Sequence, residues 1–353
     1  MVDYLVVGCG LAGISFCEIL EKNEKSFHVV SDNSQQASWV AGGLYNPVIL
    51  KRFTLAWNAP QQMDLAMPFY QRLEQKLQVK LDYKLRVLRL FASAEEQNGW
   101  FEASDKPGLD YFLSNEIHQN VNDHIDAPLG FGEVLYTGRV DTRELLRSYS
   151  KYLAKKKRLT QEAFDFSRLK IDANSIGYTS IQAKHIVFAD GYGLKNNPFF
   201  NYLPLNGTKG ELLTIKAPRL KEESVIKSSV FIIPLGEDLY RVGATYKWKD
   251  KSNEPTQASR EELLTKLKTF LKSDFEVVDH VAGIRPTVAD RRPLVGEHPT
   301  HQNLYCLNGF GSRGVLIAPY AAEQLFDCIE NDSPINPEMN LNRFTKKYYP
   351  GLP

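Results

Sequence analysis

Apolar residues along this chain come in two rhythms. Short unbroken runs, Tyr4-Leu5-Val6-Val7, Phe27-His28-Val29-Val30 and His185-Ile186-Val187-Phe188-Ala189, have the length and β-branched content of strands buried on both faces. Between the first two, Ile14, Phe16, Cys17, Ile19 and Leu20 recur at helical spacing as far as Lys22. The same spacing predicts helices over 55–77, with Met63, Ala66, Met67, Tyr70, Leu73 and Leu77 on one face, and over 94–103 and 261–271. A further helix over 142–155 opens on an Asp141-Thr142 cap. Alternating runs near 85–91, 211–216, 229–233 and 239–246, parted by turns such as Gly236-Glu237-Asp238, predict an antiparallel sheet. The segment 37–48 reads as a glycine-containing loop of small residues, and the polar, Pro-punctuated tail from Asn331 as a surface extension.

The first strand runs straight into Gly8-Cys9-Gly10-Leu11-Ala12-Gly13, and the second ends at Ser31-Asp32. Strand, GxGxxG, helix, strand and acid form the βαβ fingerprint for dinucleotides. Gly8 permits the tight turn, Gly10 lets backbone approach a pyrophosphate at the positive end of the helix, and Gly13 allows helix and strand to close up. Asp32 can accept hydrogen bonds from the adenosine ribose, which disfavours a 2′-phosphate there. The motif alone leaves the choice among NAD, NADP and FAD open.

Composition narrows the setting. The 353 residues exceed what one nucleotide domain needs, so two domains are expected. A formal charge of +1, from 43 Lys+Arg against 42 Asp+Glu, gives no global attraction to nucleic acid or anionic lipid. The basic run at 155–158 reads as a solvated helix end. Cys9, Cys17, Cys306 and Cys328 form neither a disulfide framework nor a zinc spacing, and no metal site is expected. No apolar run approaches the ~20 residues of a membrane span, and the N-terminus lacks the basic start of a signal peptide, so a cytoplasmic protein is expected.

Towards the C-terminus, Gly283-Ile284-Arg285-Pro286 closes a β-run. Arg285 there is suited to bidentate capture of a carboxylate. The later stretch from Asn308-Gly309-Phe310-Gly311-Ser312-Arg313-Gly314-Val315 to Pro319 repeats the opening grammar of strand, glycine loop and apolar helix, the helix running to about Ile329. Its amides can hold an anion or the polar edge of a ring. None of the seven histidines falls into a recognisable triad.

Taken in order, these motifs resemble FAD-dependent oxidoreductases of the D-amino-acid oxidase type, including glycine and sarcosine oxidases. The resemblance also covers Ala37-Ser38, Ala41-Gly42-Gly43, Gly138-Arg139-Val140-Asp141, Ala189-Asp190-Gly191, Thr208-Lys209-Gly210-Glu211, Ile233-Pro234 and Val242-Gly243-Ala244-Thr245. It implies an α/β plus α+β fold: a Rossmann-like FAD-binding domain built from residues 1–80, 135–204 and 285–345, with an inserted, mainly antiparallel substrate domain from 81–134 and 205–284. It implies FAD contacts from Gly8, Gly10, Leu11, Ala12, Gly13, Ser31, Asp32, Ser38, Ala41, Gly42, Gly43, Leu44, Ala189, Asp190, Gly191, Arg285, Gly309, Gly311, Ser312, Arg313, Gly314 and Val315. Arg285 would bind the substrate carboxylate. Phe231 stands near where the family often has Tyr, Asp32 replaces the commoner Glu, and no Cys lies near Arg285, so FAD would be held non-covalently.

The activity implied is oxidation of the C–N bond of an amino acid or N-alkyl amino acid by hydride transfer to flavin N5, giving an imine, with dioxygen as acceptor. Gly43-Leu44-Tyr45-Asn46-Pro47 and Gly311-Ser312-Arg313-Gly314 also look like the oxidase half of the bifunctional tRNA wobble-uridine modifying enzyme. The alternatives are therefore the same chemistry on a carboxymethylaminomethyl-modified tRNA base, or a flavin-binding protein without turnover.

Overall fold

The strand Val2–Val7 pairs in parallel with Phe27–Val30 on one side and Ile181–Phe188 on the other. Residues 4–7 are all buried, which is why the run carries apolar side chains on both faces. In the computed structural model of the chain, which describes residues 1–32, 34–172 and 175–349, these strands centre an eight-stranded sheet. Leu159–Thr160 extends it in parallel beyond Phe27–Val30. The outer edge of Ile181–Phe188 is shared. Ser175–Tyr178 and then Leu169–Asp172 continue from its first half, antiparallel, while Leu304–Asn308 pairs in parallel with its second half. Leu294–Glu297 lies antiparallel outside that last strand.

Helices Leu11–Lys22 and Gly314–Asn331 pack side by side, and Ala59–Leu77 lies against the second. There the Tyr70 hydroxyl donates to the Val315 carbonyl at 2.8 Å. A second eight-stranded sheet runs Glu276–Arg285, Thr208–Lys216, Leu239–Gly243, Phe231–Gly236, Val225–Lys227, Val87–Leu90, Phe131–Val134, Leu113–His118. Its pairings are antiparallel except Val225–Lys227 with Val87–Leu90. One face packs Leu213, Ile215, Tyr240 and Val242 against Leu263 and Leu267 of helix Gln257–Lys268. The other faces the nucleotide-domain sheet across a cavity. A small sheet of Leu44–Tyr45, Gly138–Val140 and Asp82–Lys84 ties the two parts together.

The fold is thus the expected combination of a Rossmann-like parallel sheet and an antiparallel sheet domain. Local expectations differ in several places. The helix expected over 55–77 starts at Ala59, because Thr54–Leu55 pairs with Val48–Ile49 and Pro60 favours the first helical turn. The helix expected over 261–271 is Gln257–Lys268, capped by the Thr256 hydroxyl accepting from Ser259 N. The loop 37–48 contains the short helix Ala37–Val40. The tail from Asn331 is no mere surface extension: Ile335, Met339 and Leu341 are buried, and Val295 N donates to the Met339 carbonyl. Its apolar residues are too sparse and irregular to show as a periodic pattern.

Candidate functional site

Val2–Val7, Phe27–Val30, Ile181–Phe188 and Leu304–Asn308 point the same way. At their carboxyl ends stand Gly8, Ser31, Ala189 and Gly309. A cavity of about 450 Å³ opens there, between these strand ends and the antiparallel sheet, where open α/β sheets bind ligands.

Gly8 leaves the first strand at φ +103°, and a Cβ on it would stand 2.5 Å from the Ala189 carbonyl oxygen. Helix Leu11–Lys22 then begins with no side-chain cap and no acid in its first turn. The Ser38 hydroxyl accepts from Leu11 N at 3.3 Å. Helix Gly314–Asn331 also begins without a side-chain cap or an acid, and Gly314, Val315 and Leu316 line the same cavity. Two positive helix ends therefore converge on one space, as anionic or strongly polar ligand groups require.

Two arginines face that space without an acid. Arg285 ends its strand, donates from Nη1 to the Thr245 carbonyl at 3.2 Å, and stacks its guanidinium 4.4 Å from the Tyr246 ring centre. Burial pushes its pKa down, opposed by Tyr246. The guanidinium lies flat on Gly210, where a Cβ would stand 2.0 Å from Nη2. Arg313 donates from Nη2 to the Asn46 carbonyl at 2.5 Å, and burial pushes it down to about 10. Among the described residues neither has a carboxylate as a hydrogen-bond or ion-pair partner. An enclosed cation left with carbonyl partners only is poised for a ligand anion.

Asp190 accepts from Asn308 Nδ2 at 2.9 Å and Asn197 Nδ2 at 3.2 Å, and burial pushes it up to about 6. On the far face of the antiparallel sheet, fully buried Lys209 donates to Asp250 at 2.5 Å and Ser252 at 3.1 Å. Its neighbour Glu211 accepts from Thr256 N at 2.7 Å, with His280 Nε2 at 3.0 Å. These buried charges staple the 246–256 segment, and so Tyr246, beside Arg285.

The chain matches the family described as FAD dependent oxidoreductase (DAO) over residues 3–327. It belongs to the DAO family of FAD-dependent oxidoreductases. Among curated relatives, a glycine oxidase of Bacillus subtilis is 30% identical over 158 residues, 43% of this chain and 42% of that enzyme. A glycine oxidase of Bacillus licheniformis is 22% identical across 93% of this chain and 92% of its own length. A tRNA 5-methylaminomethyl-2-thiouridine biosynthesis bifunctional protein of Aromatoleum aromaticum is 29% identical over 44% of this chain and 29% of its own length. The solved glycine oxidase of Geobacillus kaustophilus superposes with a TM-score of 0.76 at 19% identity, covering 94% of this chain and 95% of its own.

FAD is the cofactor of this family, and the cavity fits it: a glycine turn with no room for a Cβ, two uncapped helix starts and two acid-free arginines. Gly8, Gly10, Leu11, Ala12, Ser31, Asp32, Ser38, Ala41, Gly42, Gly43, Leu44, Ala189, Asp190, Gly191, Arg285, Gly311, Ser312, Arg313, Gly314 and Val315 all line it. Two of the expected contacts do not. Gly13 lies behind the wall, its would-be Cβ 2.0 Å from the Gly8 carbonyl oxygen, so its part is helix–strand packing. Gly309 turns away at φ +83° against Val288. Sequence reasoning missed Asn308, Tyr246, Asn46 and Gly210. The signal for Asn308 was an amide directly at a strand end before glycine, where it accepts from Gly309 N and donates to the Gly191 carbonyl.

Proposed function

We propose that the protein oxidises the carbon–nitrogen bond of an amino acid or N-alkyl amino acid with non-covalently held FAD, and that dioxygen regenerates the flavin. The observation that carries this is Arg285, an enclosed guanidinium without an acid, facing a cavity walled by the glycine turn and both helix starts. Residues 1–80, 135–204 and 285–345 would hold FAD, with 81–134 and 205–284 forming the substrate side. Gly8, Gly10 and Ala12 would cradle the pyrophosphate and Asp32 the ribose, while 42–44 and 310–314 would flank the ring system, Gly309 being turned away.

FAD supplies a two-electron, hydride-accepting centre. Arg285 binds the substrate carboxylate through its outward N–H groups, because Thr245 and Tyr246 already fix the orientation of its fork. Phe231, Leu212 and Phe310 wall the space with apolar surface and keep water from the reacting carbon. Among the described cavity-lining residues there is no His, Lys or Glu, and the acids are Asp32 and the amide-bound Asp190. On this reading the amine loses its proton to solvent before reaction. The test is anaerobic bleaching of the FAD-loaded protein by glycine, sarcosine, proline and D-amino acids; absence of bleaching by every one refutes it.

A second reading, oxidation of a substituent on a tRNA base, draws on the similarity to the bifunctional protein. Against it, Arg158 in the basic run is committed, pairing with Glu21 at 3.2 Å and lying over Phe27. No helix among the described residues is long and apolar enough to cross a membrane.

A further inference from the structure

On the sheet face turned to the cavity, Gly243 stands opposite Leu212 and Phe231, which line the cavity. Two residues further along the same strand, Arg241 stands opposite Thr214 and Ile233. Its neighbours Tyr240 and Val242 point the other way, into the core beneath Gln257–Lys268. Arg241 is therefore the next side chain outward from the cavity wall on that strand. Ile233 beside it reaches Gly42, where a Cβ would meet its Cδ1 at 3.0 Å.

Only 11% of the Arg241 side chain is exposed, and it makes no hydrogen bond among the described residues. Its nearest acid, Asp279, is 3.8 Å away, at the limit of an ion pair. Where Ile233 reaches Gly42, the next residue Gly43 would place a Cβ 3.4 Å from Cγ of Arg139, whose charge acts on Arg241; 9% of the Arg139 side chain is exposed, its guanidinium is 4.8 Å from the Tyr83 ring centre and its Nη1 3.2 Å from Asp141. Arg139 Nε makes no hydrogen bond among the described residues. Arg143, at the start of helix Thr142–Lys155, adds a third positive charge acting on Arg241. Among the described residues Arg241 and Arg139 each have one acid at ion-pair distance, Asp279 and Asp141, and each buries one N–H-bearing nitrogen, Arg241 Nη1 and Arg139 Nε, that makes no hydrogen bond, while Arg143 adds charge from the surface. Unmet buried donors are costly, and an anion placed between them removes the cost.

We propose that this cluster receives a second carboxylate of the substrate, carried on its side chain or on its amine nitrogen, while Arg285 holds the first. This rests on the carboxylate role given to Arg285 above. The Arg285 guanidinium lies over Gly210, and Arg241 stands opposite Thr214, four residues along the same strand or about 13 Å. The Arg241 side chain spans part of that gap, so the two carboxylates are separated by several bonds.

The test is anaerobic reduction of the FAD-loaded protein by glycine, glutamate and 2-aminoadipate in both enantiomers, and by iminodiacetate and N-(2-carboxyethyl)glycine. Glutamate and 2-aminoadipate carry the second carboxylate on the side chain, iminodiacetate and N-(2-carboxyethyl)glycine carry it on nitrogen, and glycine has none. At least one two-carboxylate substrate is expected to exceed glycine in kcat/KM by tenfold or more, and Arg241→Gln to reduce that ratio by about 10- to 100-fold. A second measurement needs no variant. Flavin absorbance of the unaltered holoprotein is titrated with acetate, succinate, glutarate and adipate, and one diacid is expected to bind at least about tenfold tighter than acetate. Glycine matching every two-carboxylate substrate, or acetate matching every diacid, overturns the proposal. So does a ratio unmoved by Arg241→Gln. Bleaching by no amino acid of either kind instead overturns the oxidation reading itself, which separates the two failures.

Discussion

Replacing Gly210 by Ala isolates the carboxylate clamp from the rest of the protein. The added Cβ would stand 2.0 Å from Arg285 Nη2, 2.2 Å from Cζ and 2.3 Å from Nη1. Ordinary contact requires about 3.4–4 Å, so the guanidinium must retreat by more than 1 Å. The obstacle is the far end of a flexible side chain, and Gly210 does not have left-handed backbone, so the strand can stay in place. Ala in a strand interior is, if anything, better than Gly by about 0.5–1 kcal/mol. The expected result is an unchanged or slightly raised melting temperature, normal FAD content, and weaker substrate binding. Displacing one partner of an enclosed charge pair costs about 2–5 kcal/mol when complete. A partial retreat of about 1.5–3 kcal/mol corresponds to roughly 10- to 100-fold in affinity. The assay is a stopped-flow titration of anaerobic flavin reduction by the best amino-acid substrate, repeated in the Arg285→Ala background. There Gly210→Ala should add almost nothing, because its effect runs through the missing guanidinium. Unchanged affinity in the single variant, or full additivity in the double, would show that Gly210 does not act through Arg285.

Other expectations concern different parts of the site. Gly13→Ala gains about 1 kcal/mol of helix propensity but drives a Cβ into the immovable Gly8 carbonyl; FAD binding followed by fluorescence quenching should weaken by at least about tenfold. Asp190 has a folded-state pKa raised by burial to about 6 from 3.8. Its contribution to stability is therefore complete below pH 4 and is lost as pH rises through 6, at most about 3 kcal/mol. Denaturant unfolding of the FAD-free protein should show that slope, and Asp190→Asn should flatten it. Lys209→Met strands Asp250 and Glu211 and should cost about 3 kcal/mol in unfolding experiments while raising KM more than it lowers kcat. With no base beside Arg285, kcat/KM should rise with pH until the substrate amine itself is neutral; a plateau well below that point would reveal a side-chain base.

The nucleotide half was legible because its signals are local. In 2–32, strand, glycines, helix and acid follow one another without interruption, so spacing alone located Gly8, Gly10 and Asp32 at the cavity. Arg285 was legible for another reason: an arginine between a β-run and a proline is an unusual place for a solvated cation. What stayed hidden depends on strand register. Gly210 matters only because Thr208–Lys216 pairs with Glu276–Arg285 so that the guanidinium folds back over it. Tyr246 matters only because Lys209, on the opposite face, holds its loop. Asn308 bridges two strand ends more than a hundred residues apart. The buried tail around Met339 escaped because single apolar residues docking irregularly carry no period.

The order of the parallel strands sets a timetable for making this protein. Gly8 is made well before the strands that complete the sheet around its turn, Ile181–Phe188 and then Leu304–Asn308. At about 5–20 residues per second, some 15–60 s of synthesis separate the glycine turn from the last of those strands. Helix Gly314–Asn331, whose uncapped start forms the opposite wall, emerges later still. Until Ile181–Phe188 is made the strand Val2–Val7 has an open edge, and until Leu304–Asn308 and the helix after it are made the cavity lacks a wall. Flavin therefore does not template the folding of the segments made before Leu304–Asn308; it enters after they have formed, and flavin shortage should leave a folded, loadable pool rather than a nascent-chain arrest.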